Sequence, residues 1–269
     1  STGLPTKTEQ SDLVQALYGR NGEAPIPLIA AATPGDCFYA AYEASRIALK
    51  YMTPVVLLTD GYLANGSEPW KIPDVDSMES IDVQFVDGVK EGEEFMPYKR
   101  DEDTLSRPWA SPGVPGLEHR VGGLEKAENT GHVSYDPDNH QRMVELRQEK
   151  VDRIQNDIAK TEVFGEENGD VLILSWGGTY GSCRSAVETL HDQEKSVSHV
   201  HVRWISPLPK DLGEIIIKFK NVLIPEINMG QLIKIIRSEY LVDAKGLNQV
   251  NGKPISASRI VEKVNEMVG

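Results

Sequence analysis

The feature that most constrains the fold is a pair of continuously apolar runs on either side of a helical pattern. Ile26–Ala31 and Val55–Thr59 have strand length and no polar alternation, which is typical of strands buried on both faces. Between them, Cys37–Met52 has helical spacing, begins after the turn Thr33–Asp36 and ends before Pro54. This order of strand, helix and strand predicts a parallel sheet in an α/β fold.

The predicted helix Cys37–Met52 carries one stripe of small and apolar side chains at helical spacing. The stripe consists of Phe38, Ala41, Tyr42, Ser45, Ala48, Leu49 and Met52. We expect this stripe to pack against the sheet.

A second α/β unit begins near Asp170, and its alternation of strands and helices again predicts a parallel or mostly parallel sheet. The predicted strands are Val171–Ser175, Val197–Ile205 and Asn221–Pro225. The predicted helices follow the turn Gly177–Gly181 as far as about Asp192, and then span Asp211–Phe219, Gln231–Leu241 and Ala257–Val268.

The stretch between the two units, residues 62–140, shows neither helical nor strand periodicity. Its prolines and glycines disfavour regular structure, whereas its aromatic residues favour an ordered segment over a disordered one. We expect it to be ordered mainly by burial against a partner subunit or a symmetry mate. A charged helix, Asp138–Lys160, follows it and resembles a helix that bridges two domains. Its narrow apolar stripe is Met143, Leu146, Val151, Ile154 and Ile158.

Charge and cysteine content limit the partners and the location. The net charge of −13 disfavours nucleic acid and membrane surfaces as partners, because phosphate binding needs a surface rich in Lys and Arg. No apolar run approaches the ~20 residues of a membrane helix. The two cysteines, Cys37 and Cys183, lie far apart and form neither a disulfide framework nor a zinc or iron–sulfur set. A reducing, cytoplasmic location is therefore predicted.

Three local patterns could carry chemistry, and each has a simpler structural explanation. Gly177–Gly181 joins a strand to a helix and could hold a phosphate, although we favour a tight turn because the full dinucleotide fingerprint is absent. His199 and His201 share one face of a strand, as two metal ligands could, yet core or surface histidines are favoured because nothing nearby completes a site. Cys37 begins a helix, where its pKa could be lowered, but a buried small residue is the default. We assign no metal ligands.

The first ten residues form the best candidate for a binding loop. Ser1, Thr2, Gly3, Thr6 and Lys7 offer hydroxyls, backbone donors and one positive charge in a loop. Loops at the carboxyl ends of parallel strands are where α/β sheets bind ligands. The alternative is that Thr6 and Thr8 cap a helix beginning near Glu9.

Several segments, in order along the chain, resemble the α subunit of 2-oxoacid:ferredoxin oxidoreductases, with the 2-oxoglutarate enzymes as the nearest type. The matching segments are 1–13, 15–19, Thr33–Phe38, Tyr51–Val55, Asp60–Trp70, Pro112–Arg120 and Pro225–Leu232. One such segment would be weak evidence, but the whole series of segments in the same order is highly specific. Which 2-oxoacid is used rests on the resemblance alone.

The resemblance implies a fold and a division of the chain. Residues 1–100 would be the latter part of a parallel-sheet domain that holds the pyrimidine half of thiamine. Residues 101–164 would be an extended linker and bridging helix, and residues 165–269 an α/β domain like the carboxyl-terminal domain of transketolase. Members of the family carry a Tyr-Pro-Ile-Thr-Pro segment and an activating glutamate ahead of the Ser1–Gly3 stretch. The chain is therefore expected to be truncated and inactive alone, with its catalytic residues upstream.

The resemblance also implies the cofactors and partners. Thiamine diphosphate with Mg²⁺ would be shared with a β subunit, which would also hold an iron–sulfur cluster, and this chain alone would bind neither. The other partners would be ferredoxin, the 2-oxoacid and coenzyme A, and the reaction would convert the acid to its acyl-CoA. The alternative from another class is an inert α/β interaction or scaffold module.

Overall fold

A computed structural model describes residues 3–269, so Ser1 and Thr2 lie outside the described residues. The helices are α1 Leu13–Tyr18, α2 Asp36–Tyr51, α3 Gly61–Asn65, α4 Pro137–Arg153, α5 Tyr180–Asp192, α6 Leu212–Ile216, α7 Leu232–Tyr240 and α8 Ala257–Val268. The strands are β1 Leu28–Ala30, β2 Val56–Leu58, β3 Phe85–Val86, β4 Trp109–Ala110, β5 Val163–Phe164, β6 Gly169–Ser175, β7 Val197–His201, β8 Trp204–Ser206, β9 Phe219–Glu226 and β10 Lys245–Asn248. The predicted α/β class is confirmed.

The first sheet has three strands in the order β2-β1-β8. β1 and β2 are parallel, with Ile29 opposite Leu57, as the two apolar runs predict. β1 is fully buried, but β2 is only half-buried along its length, because it is the edge strand of this sheet. The third strand comes from the second unit: β8 pairs antiparallel with β1, and Ile29 lies opposite Trp204.

The helix α2 has the predicted extent, but the predicted buried stripe is wrong. Ala40, Ile47 and Tyr51 are buried, whereas Phe38 and Ser45 are exposed. Two stripes with helical spacing lie side by side on this helix. The one that packs inward can include Tyr51 because its hydroxyl donates to Asp157 Oδ2 at 2.7 Å, which satisfies the polar end of a buried ring.

The second sheet has the strand order β10-β9-β6-β7-β5 and is parallel except for β5. One face of β6 packs on α5 and α8, and the other face packs on α7 and on apolar residues of α1 and β1. Both halves of the chain therefore share one core. Leu13 and Leu28 lie in the same apolar cluster as Leu172 and Ile236.

Several predicted bounds in the second unit are wrong. The predicted strand Val197–Ile205 is two strands, β7 and β8. The chain turns away at Arg203, whose guanidinium pairs with Asp36 at 2.8 Å, and then joins the first sheet. The predicted helix Asp211–Phe219 ends at Ile216, because Phe219 already belongs to β9. β5 and β10 were not predicted, and both are short edge strands with little apolar periodicity.

The middle segment has little regular structure, as predicted. It contains α3, one turn of 3₁₀ helix and the short pair β3–β4. The predicted helix Asp138–Lys160 is confirmed in its start and in the burial of Met143, Leu146, Val151 and Ile154, but its predicted end is wrong. α4 ends at Arg153, and one turn of 3₁₀ helix follows it as far as Asn156. Just beyond α4, Asp157 contacts the first unit through Tyr51, and Thr161 Oγ1 donates to Asp211 in the second unit at 2.7 Å.

No helix begins near Glu9, so the predicted cap role of Thr6 and Thr8 is wrong. Residues 7–11 are without regular structure, and α1 begins at Leu13 after Asp12. Thr8 N–H instead donates to the carbonyl of Gly252 at 3.0 Å. The backbone donors of this segment are used by the second unit rather than by a helix of their own.

Candidate functional site

The carboxyl ends of β2, β6 and β9 meet beneath the start of the chain, and we call this place the junction. We call residues 3–12 the first segment. The residues that follow the three strands there are Asp60, Trp176–Gly178 and Ile227–Asn228, and residues 8–12 lie across them. This is the edge of a parallel sheet at which α/β folds bind ligands. A small cavity of about 20 Å³, large enough for one water molecule, lies between Gln10, Asp60 and Trp176.

Gln10 fixes the first segment to the second unit. Its side chain donates to the carbonyl of Trp176 at 2.6 Å and accepts from Ile227 N at 3.1 Å. Its backbone N–H donates to the carbonyl of Ile227, and its carbonyl accepts from Asn228 Nδ2 at 2.9 Å. Gln10 is 3% exposed, so these partners replace water at a buried site.

Asp60 joins the two sheets through the glycine-rich turn. Its Oδ1 accepts from Tyr62 N and Leu63 N and caps α3, while its Oδ2 accepts from Gly178 N at 2.7 Å. A side chain at Gly178 would overlap this carboxylate, so the glycine is required by a close approach. The turn Gly177–Gly181 therefore holds an anion, but the anion is Asp60, and the amide at the entrance to α5 is already used. The favoured interpretation, a tight turn with close packing, is confirmed, because Gly177–Thr179 is one turn of 3₁₀ helix that leads into α5 and Gly178 lies against Asp60.

Glu226 is a second buried carboxylate at the junction and is fully shielded from solvent. Its Oε1 accepts from Leu232 N at 2.8 Å, from Asn228 Nδ2 at 3.0 Å and from Trp176 Nε1 at 3.2 Å. Its Oε2 accepts from Ile233 N at 3.1 Å. The carboxylate thus supplies acceptors to the amino end of α7, where the helix dipole also favours a negative charge.

The described candidates of the first segment lie on the solvent side of the junction. Gly3 and Thr6 are exposed and have positive φ angles of 114° and 51°. Lys7 Nζ pairs with Glu9 at 3.3 Å, and the backbone of Lys7 passes so close to Gly61 that a side chain there would overlap it. The junction therefore holds the backbone of Lys7, and the Thr6 hydroxyl has no hydrogen-bond partner among residues 3–269. Ser1 and Thr2, the other two predicted residues, lie outside the described residues.

The two histidines belong to the core, as favoured from the sequence. Ser175 Oγ lies between them, 2.7 Å from His199 Nε2 and 2.8 Å from His201 Nδ1. Burial lowers the pKa of His199 to about 4, and burial also lowers that of His201. Residues 3–269 contain no group of three His, Cys, Asp or Glu side chains able to hold a metal ion.

Cys37 is not activated by its place at a helix start. Burial raises the pKa of its thiol, and the carboxylates of Asp36, Asp60 and Glu68 raise it further. This agrees with the default interpretation of a small packed residue.

Sequence reasoning did not single out Gln10, Asp60 or Glu226 as candidates. A usable signal exists for two of them, because an acidic residue directly after an apolar strand and before a helix predicts a buried cap. Gln10 offers no such signal, since all of its partners are distant in the chain.

The comparisons with known proteins identify the class. Residues 1–136 match the family model described as pyruvate flavodoxin/ferredoxin oxidoreductase, thiamine diphosphate-binding. The chain belongs to this family.

Among relatives, a 2-oxoglutarate oxidoreductase subunit KorA of Mycobacterium tuberculosis is 48% identical over 97% of this chain and 39% of its own length. A 2-oxoglutarate synthase subunit KorA of Archaeoglobus fulgidus is 27% identical over 98% of this chain and 67% of its own length. The structure of 2-oxoglutarate:ferredoxin oxidoreductase from Magnetococcus marinus, with 2-oxoglutarate, coenzyme A and succinyl-CoA bound, is 32% identical. It superposes with a TM-score of 0.91, covering 100% of this chain and 47% of that one.

The chain spans about two fifths of the length of the KorA relative from M. tuberculosis and about half of the M. marinus chain. Among the residues that the structure describes, no helix is both long enough and apolar enough to cross a membrane.

Proposed function

We propose that the chain is part of the α subunit of a thiamine-dependent 2-oxoglutarate:ferredoxin oxidoreductase that works in the cytoplasm. The enzyme would decarboxylate 2-oxoglutarate, transfer the acyl group to coenzyme A and pass the electrons to ferredoxin. The observation that carries the proposal is the likeness to proteins named for 2-oxoglutarate: one is 48% identical over nearly the whole chain, and one structure has a TM-score of 0.91. The predicted division at residues 100 and 165 is retained as part of this proposal.

The junction fits a role on the pyrimidine side of a shared thiamine site. Its carboxylates, Asp60 and Glu226, already accept hydrogen bonds from backbone and side-chain N–H groups, so the groups left for a ligand are those of the exposed residues Gly3, Thr6 and Lys7. Bound thiamine diphosphate supplies the carbanion stabilisation that decarboxylation needs. We assign to Thr6 and Lys7 the binding of a substrate carboxylate, because a hydroxyl and an ammonium bind an anion most strongly in a partly dry cleft.

The remaining components are assigned to partners. A β subunit would hold the diphosphate with Mg²⁺ and an iron–sulfur cluster, and would complete the site above the junction. This assignment rests on the family resemblance. Because the β subunit would hold the cation, the carboxylates of Asp60 and Glu226 at the junction can accept hydrogen bonds from protein N–H groups instead of binding a cation.

The activity is tested with the full-length protein and its partner subunit, supplied with thiamine diphosphate and Mg²⁺. We expect reduction of ferredoxin or methyl viologen that needs both 2-oxoglutarate and coenzyme A, with pyruvate a much poorer substrate. Faster turnover with pyruvate would reject the substrate assignment. A complete assembly that turns over neither acid would reject the oxidoreductase itself.

The role of the first segment is tested in the same assembly with Thr6→Val and Lys7→Met. Loss of a hydrogen bond to a charged ligand should lower kcat/KM by on the order of tenfold while the melting temperature stays unchanged. Thr189→Val, on the exposed face of α5, is the matched control and should leave the kinetics unchanged. Normal kinetics in both test variants would remove these residues from the substrate site.

A further inference from the structure

A second cavity, of about 720 Å³, opens on another side of the molecule between α4, the middle segment and the loop before β1. Its lining is strongly basic although the chain as a whole has a net charge of −13. The basic side chains are Arg20, Arg100, Arg107, Lys126, Arg147 and Lys150, and the acidic ones are Glu23 and Glu125.

Most of these cations have no carboxylate partner among residues 3–269. Arg147 reaches Glu125 at 3.5 Å, but no ion pair is formed there by the other five. Arg20 and Lys126 are satisfied by backbone carbonyls. Of the five cations without a carboxylate partner, Arg100, Arg107 and Lys150 therefore use the least of their hydrogen-bonding capacity.

The surroundings of these three side chains differ from those of ordinary surface cations. Lys150 is 8% exposed, and its one hydrogen-bond partner within the described part of the chain is the carbonyl of Met52, at a long 3.5 Å. Arg100 donates to the carbonyl of Leu105, but its buried Nε has no hydrogen-bond partner among the residues described. The Arg107 guanidinium lies over the ring of Tyr98, 4.6 Å from the ring centre, and its N–H groups have no hydrogen-bond partner among residues 3–269.

Such an arrangement is costly without an anion. A buried ammonium without a counter-charge is unfavourable, and two guanidiniums nearby add repulsion. Burial, together with the positive charges of Arg100 and Arg107, lowers the pKa of Lys150 to about 7. Burial likewise lowers the pKa of Arg100. A bound negative charge would relieve both the desolvation and the repulsion.

We propose that this cavity binds a small dianion, a phosphate group or a dicarboxylate, held by Lys150, Arg100 and Arg107. Guanidinium forks and an ammonium recognise both kinds of group, and the cavity volume lies within the range of small-molecule sites, about 300–1,000 Å³. Since α4 supplies the lysine and the middle segment supplies both arginines, binding would tie the middle segment to α4. The proposal does not depend on the oxidoreductase assignment.

Binding is measured by calorimetry and thermal shift on the full chain in its native assembly. The probes are inorganic phosphate, 2-oxoglutarate and coenzyme A, which carries a phosphomonoester, and sodium chloride at equal ionic strength is the reference. We expect at least one probe to bind saturably and to raise the melting temperature above the reference. If phosphate binds most tightly, the cavity is a site for free phosphate. If 2-oxoglutarate binds most tightly, it is a dicarboxylate site, and if coenzyme A does, it is a site for a phosphomonoester.

Lys150→Met and Arg107→Gln should each weaken that binding at least tenfold. Lys150→Met should also raise the melting temperature without any probe, because it removes a buried charge and keeps the length of the side chain. Lys218→Met, at an exposed lysine in the second unit, is the control and should change neither quantity. The proposal is overturned if no probe exceeds the chloride reference, or if both variants bind as the unaltered protein does. It is also overturned if they disrupt subunit association alone, since an acidic partner residue would then be the occupant.

Discussion

Replacing Asp60 with Asn tests whether the junction is held by one charged hydrogen bond between the two sheets. The asparagine oxygen can still accept from Tyr62 N and Leu63 N, so the cap of α3 survives. The amide nitrogen would then face Gly178 N–H across the present 2.7 Å, and two donors would oppose each other in a buried place.

The expected cost follows from what is lost at Gly178. A hydrogen bond to a charged group contributes about 1.5–3 kcal/mol, and an unsatisfied buried amide costs about 1–3 kcal/mol. The lost hydrogen bond and the unsatisfied amide are partly the same loss, so their costs do not simply add. We therefore expect the free energy of unfolding to fall by roughly 2–4 kcal/mol. The effect should be independent of the helix cap.

Urea denaturation followed by fluorescence and circular dichroism measures this difference. Asp136→Asn is the matched control, because Asp136 is an exposed N-cap whose carboxylate accepts from Asp138 N of its own helix. That variant should cost less than about 0.5 kcal/mol, since asparagine caps a helix as well as aspartate does. If Asp60→Asn costs no more than this control, the bond to Gly178 does not hold the sheets together.

Three further predictions concern the junction and the histidine pair. Gly178→Ala should destabilise the fold by about 1–3 kcal/mol, because the new methyl group would overlap the Asp60 carboxylate. Gly181→Ala is the control and should be neutral or stabilising, because Gly181 lies in α5 with open space around it. Thermal denaturation of the two variants distinguishes the effect of the overlap from that of helix propensity. Glu226→Gln should lower the free energy of unfolding by roughly 2–3 kcal/mol, since one of its four donors would meet an amide N–H, and an unchanged urea midpoint would contradict the network described for it. The folded-state pKa of His199, about 4, lies below its unfolded value, so the unfolded state binds the proton first and stability should fall as the pH drops from about 6.5 towards 4. His199→Gln should flatten that decline in a plot of melting temperature against pH, and an equally steep decline would place its cause elsewhere.

The parts of the fold that follow local rules were predictable. The parallel pairing of β1 with β2 follows from two short apolar runs on either side of a helix, because such strands must be covered on both faces. The bounds of α8 are confirmed as predicted, since Ser256 caps its first turn and its apolar face is continuous. Neither result needs knowledge of distant residues.

The parts that depend on distant partners were not predictable. Which stripe of α2 turns inward is decided by Asp157, which satisfies the hydroxyl of Tyr51. The occupant of the glycine-rich turn is a side chain, Asp60, that lies in the other half of the chain. Likewise, the first segment forms no helix at Glu9 because its donors find acceptors in the second unit. A sequence pattern cannot rank such partners before the fold brings them together.

The pairing of β8 with β1 has a consequence for a nicked protein. A protease that cuts the exposed middle segment severs the covalent link between the halves, but β1 would still be hydrogen-bonded to β8. Gln10 and Asp60 would remain bound to the other fragment as well. The two fragments should therefore migrate as one particle in native conditions. Expressed alone, the amino-terminal fragment would lack β8 and could not complete the first sheet, whereas all five strands of the second sheet lie in the other fragment.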